Sequence, residues 1–68
     1  MNEAEEAQLR ALLVTLVQEH RDLDQAIAAM IESGVRDQLQ LSRLKRRKLQ
    51  LKDQIAHIEN ALLPDIIA

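Results

Sequence analysis

Residues 41–62 read LSRLKRRKLQLKDQIAHIENAL, and this stretch decides the fold. Leu41, Leu44, Lys48, Leu51, Ile55, Ile58 and Leu62 are separated alternately by three and four residues. Such spacing lays a single stripe along a helix, and all but one of its members are aliphatic. The first half of the chain carries the same pattern at Leu9, Leu13, Leu16, His20, Leu23, Ile27 and Met30. Gly34, the one glycine, stands between the two stripes. When the chain is folded back there, position 27 meets 41, 23 meets 44, 20 meets 48, 16 meets 51, 13 meets 55 and 9 meets 58. The single polar member of each stripe, His20 or Lys48, falls in the same layer. The pattern predicts an all-α fold, an antiparallel two-helix hairpin with a coiled-coil-like seam.

Cap residues place the ends. Asn2 followed by Glu5, and Asp37 followed by Gln40, have the form of capping boxes. Glu3, Glu5 and Glu6 suit the positive end of a helix. Helix one is expected over about 3–32, a turn over about 33–36 with Gly34 free to turn left-handed, and helix two over about 37–63. Pro64 ends it, because the residue before a proline is pushed out of helical space. A short apolar tail, 64–68, follows, and the chain is a single domain.

Composition narrows the rest. The 68 residues contain no Phe, Trp, Tyr or Cys, so the core is built from Leu, Ile, Val, Ala and Met. Two helices joined along one seam bury little apolar surface for the chain entropy they freeze, and folds of this size rely on disulfides, metals or oligomerisation. Without cysteine or a visible metal site, self-association is the expectation. No secretion signal is evident. The longest apolar run, 11–17, is far too short to span a bilayer and is broken by Thr15. A cytoplasmic protein with no membrane role is expected, in keeping with the lack of cysteine.

Charge is divided unevenly. Residues 1–33 hold seven acids against two bases, whereas residues 34–68 hold seven bases against four acids. Acidic Glu19 and Asp24 flank the first stripe, and Lys45, Arg47 and Lys52 flank the second. Flanking charges of opposite sign set orientation in coiled coils.

Three groups of residues stand out. His20 and Lys48, with Glu19 or Asp24, form a candidate polar layer; a buried polar residue that sets register accounts for His20 better than a titrating switch or a ligand. The run 43–48 has five bases in six residues. Arg36, Arg43, Arg46 and Arg47 could form a basic face for a partner, nucleic acid being the alternative to protein. The absence of aromatics for base stacking and a net charge of −2 weigh against nucleic acid. Finally, Val14 and Leu49 point away from the seam, with Val17, Ala56 and Leu63 on its flanks. These five form a candidate oligomer surface, which a four-helix bundle of two hairpins would bury. The chain has no cysteine nucleophile, glycine-rich phosphate loop or His-x-x-x-His pair. No enzyme activity, cofactor or metal is expected.

The residues Glu19-His20-Arg21-x-Leu23-Asp24-x-x-Ile27, followed by Leu41-x-x-Leu44-Lys45-Arg46-x-Lys48-Leu49-x-Leu51-Lys52-Asp53-x-Ile55, resemble the YdcH-like family of short bacterial proteins of unknown function. The resemblance covers roughly residues 16–60. Arg46 stands where lysine is commoner. SlyX-like short coiled-coil proteins are a poorer match, lacking the Lys-rich block. The resemblance implies a bacterial, cytoplasmic helical hairpin that often self-associates, with no catalytic residue. The resulting expectation is a non-enzymatic interaction or assembly module, a homodimer or tetramer that presents a charged surface to a protein partner.

Overall fold

A computed structural model of the chain describes residues 2–34 and 36–63. Two helices account for nearly all of them: α1, Glu3–Glu32, and α2, Gln38–Leu62. They pack on each other along their length as an antiparallel hairpin.

Local chemistry accounts for the ends. Asn2 is extended, and its side-chain oxygen accepts from the Glu5 amide at 2.8 Å. Three glutamates in the first turn of α1 face the partial positive charge of its free amides. At the other end Ser33 is the C-cap residue, and Gly34 takes φ +76. The Gly34 amide donates back to the Ile31 carbonyl at 3.2 Å, as in a Schellman-type stop. No atom lies within 4 Å of where a Cβ on Gly34 would sit, so backbone strain alone favours glycine there.

Helix two is one residue shorter at each end than expected, because both outer residues are caps. Asp37 is extended and accepts from the Gln40 amide at 3.0 Å. Leu63 has ψ 134, the conformation that a following proline imposes. The expectations for 64–68 lie outside the described residues.

The seam follows the two stripes closely. All fourteen stripe residues are buried or half-buried, and among the other described residues only Glu6 and Val17 are less than fully exposed. Leu16, Ile27 and Leu51 are the buried core, with Leu51 at 0% exposure. The molecule is a slab measuring 47 × 25 × 16 Å, one helix thick. Its radius of gyration is 15.6 Å, against about 11 Å for a globular chain of this length. Such a shape leaves two broad faces, one on either side of the seam.

Candidate functional site

Each face carries an open trough between the helices. The first trough, about 580 Å³, is lined from α1 by Val17, His20 and Arg21, and from α2 by Leu49, Lys52, Ala56 and Glu59, among others. The second, about 550 Å³, lies between Leu12 and Leu16 on α1 and Asp53, Gln54, His57 and Ile58 on α2.

The first face collects the apolar residues picked out beside the seam. Val17, Leu49 and Ala56 line its trough. Leu63 continues the row seven residues beyond Ala56, and Val14 lies one turn before Val17 on α1. Val14 is 70% exposed, Leu49 62% and Leu63 63%, although seam leucines a residue or two away are covered. Interleaved with them are the exposed charges Arg21, Lys52 and Glu59. Sequence reasoning passed over these three as binding residues. The signal was present as a second recurrence of three and four, Leu49, Lys52, Ala56, Glu59, Leu63, masked by its mixture of apolar and charged members.

The polar layer is arranged around one ion pair. The Lys48 ammonium contacts the Asp24 carboxylate across the helices. A hydrogen bond from Lys48, then its positive charge, holds the Asp24 carboxyl below the usual carboxylate range, and the nearby His20 ring adds to that effect. His20 lies half-buried beside Lys48 in the trough wall, yet its Nε2 is enclosed and has no hydrogen-bond partner among the described residues. Glu19 takes no part in this layer. It meets Arg47 at 3.4 Å, a further ion pair between the helices.

The basic residues Arg43, Arg46 and Arg47 lie within one turn of α2 and are exposed, as is Arg36 ahead of the helix. Arg47 differs from the other three in meeting Glu19 across the helices. Thr15 donates to the Ala11 carbonyl and Ser33 to the Met30 carbonyl, so both hydroxyls are used within α1. Among the described residues no three His, Asp or Glu side chains converge as a metal site would need. No helix among them is long and apolar enough to cross a membrane.

These features define a class, the short antiparallel helical hairpin with a charged exterior and one mixed apolar face. The chain belongs to the family described as Protein of unknown function (DUF465), whose model matches residues 13–59. That match covers more than two-thirds of the chain, from seam residue Leu13 to Glu59 in the trough, and the YdcH-like resemblance is consistent with it. No curated protein and no solved structure matches the chain.

Proposed function

We propose that this protein is a non-enzymatic assembly module of the bacterial cytoplasm, a hairpin that associates with itself and presents its charged exterior to a protein partner. The observation that carries this reading is the exposure of Val14, Leu49 and Leu63 beside a seam that has already absorbed the regular apolar stripes. Exposed apolar side chains set among charged ones, as Leu49 and Ala56 are with Arg21, Lys52 and Glu59, mark an interaction face. Elongation supports it further. The chain exposes 5651 Å², about 1,300 Å² more than a compact protein of 7.8 kDa. In this reading the Lys48–Asp24 pair and His20 set the register of the hairpin, since a polar layer in an apolar seam disfavours slipped pairings.

Sedimentation equilibrium tests the proposal. Interference optics are required, because no Trp or Tyr is present. A dimer or tetramer mass at micromolar concentration is expected, and a 7.8 kDa species at every concentration would overturn self-association. Titration with duplex DNA and with RNA at two salt concentrations tests the protein-partner part. Binding that weakens steeply with salt would transfer the exposed arginines to a phosphate-binding role.

A further inference from the structure

We propose that the hairpin docks on a second copy of itself through the first face, antiparallel, with a two-fold axis crossing α2 at Ala56. The inference rests on the self-association read above and goes beyond it by giving the surface, the orientation and the register.

The row Leu49, Lys52, Ala56, Glu59, Leu63 runs along the first face of α2. Its members are exposed, and four of the five line the same trough. Ala56 lies midway, seven residues from each leucine. A two-fold axis through Ala56, perpendicular to the helices, lays α2 over the partner's α2 with opposite direction. Leu49 then meets the partner's Leu63, and Lys52 falls within one residue of the partner's Glu59. By symmetry each contact occurs twice. The row thus matches itself when reversed in both polarity and charge, which is what an isologous interface needs. The small side chain at the centre lets the two backbones approach where the helices cross.

The other helix agrees. The hairpin layering sets the axis across α1 near residues 11 and 12, so Arg21 lies about as far towards the turn as Glu3 lies towards the open end. The same rotation therefore brings Arg21 over the acidic first turn of the partner's α1. Val17 meets the partner's α1 near Glu6 and Ala7, next to that contact. The parallel alternative, with both turns at one end, would set Arg21 over the partner's Lys45. It opposes like charges where the antiparallel dimer pairs unlike ones.

Area is sufficient. A standard interface covers about 800 Å² on each partner. One broad face of the slab, 47 × 25 Å, is large enough to supply it.

The native chain has no cysteine, so cross-links report cleanly. Ala56→Cys is expected to form a covalent dimer on mild oxidation, its two thiols lying on either side of the axis. The double variant Leu49→Cys/Leu63→Cys is also expected to cross-link, and either single variant far less. Within one chain those two positions are about 21 Å apart along the helix, so the bond must join two chains. Lys52→Glu should weaken the dimer about tenfold, as should Glu59→Lys, since each replaces two attractions by two repulsions. The charge-swapped Lys52→Glu/Glu59→Lys variant should recover most of that loss. Recovery distinguishes a lost contact from a hairpin that no longer folds, and circular dichroism of each variant checks helicity. A dimer mass without these cross-links, or a swapped variant as weak as the single ones, overturns the register while leaving self-association standing. A monomer at every concentration overturns both.

Discussion

The two faces of the slab flank one seam but differ in what they repeat. On the first, Leu49, Ala56 and Leu63 recur every seven residues, so an apolar row parallels the seam. On the second, Leu12, 46% exposed, keeps the company of Asp53, Gln54 and His57. A trough of similar volume lies on each. The comparison teaches that a groove between helices follows from any hairpin, whereas a periodic apolar lining with self-complementary charges is particular to one side.

The strongest way to break the comparison is to remove the seam that both faces share. Leu51 is fully covered, and Leu51→Ala should cost about 2–5 kcal/mol, enough to unfold so small a fold. Thermal unfolding by circular dichroism checks this, and a melting temperature unchanged from the parent would contradict the packing described. Next comes a paired substitution of one leucine on each face. Leu49→Glu should raise the dimer dissociation constant at least about tenfold, since it places a charge in an apolar contact. Leu12→Glu should leave it unchanged. Equal effects in sedimentation would erase the distinction between the faces.

His20 gives a subtler contrast. Its enclosed Nε2 has no partner among the described residues, so His20→Leu should stabilise the hairpin by about 1 kcal/mol while loosening its register. NMR reads the second effect as extra or broadened amide signals. One sharp set of peaks would remove His20 from the register-setting role.

The Asp24–Lys48 and Glu19–Arg47 ion pairs lie on opposite sides of the seam. The Asp24 carboxyl is held below its ordinary value by Lys48. Its contribution to stability is therefore present above about pH 4 and is lost as pH falls through the depressed value. Asp24→Asn should remove that part of the acid limb. Glu19→Gln, breaking an exposed pair with Arg47, should cost about 0–1 kcal/mol. Urea titrations from pH 2 to 7 separate the two variants, and superimposable acid limbs for parent and Asp24→Asn would contradict the Lys48 contact. The smallest effect expected is Leu12→Ser, within about 0.5 kcal/mol of the parent.

Much of this was legible residue by residue. The stripes located the covered positions, because a side chain at the stripe angle must face the other helix once the chain reverses. Asn2, Gly34 and Asp37 marked the helix ends through hydrogen bonds that depend on neighbours only a few residues away. Interhelical charge was legible only as a sum. Glu19 and Asp24 were both candidates for the layer at His20, and the geometry divides them, Asp24 to Lys48 and Glu19 to Arg47. Side-chain length and rotamer decide such a choice, and neither shows in a pattern of spacing. The basic run was equally indistinct, since Arg47 turns to Glu19 while Arg43 and Arg46 turn to solvent.

Hydrophobic period and cap chemistry, both local, were enough to determine from the sequence that this chain is an antiparallel hairpin with its turn at Gly34, and which fourteen residues make the seam. Only the tertiary structure decided that Val17, Leu49 and Ala56 share a trough with Arg21, Lys52 and Glu59, that Lys48 takes Asp24, and that one nitrogen of His20 is closed off without a partner among the described residues. Those facts depend on which side of the seam each flank occupies once two helices lie together, a relation between segments far apart in the chain that neither segment carries alone.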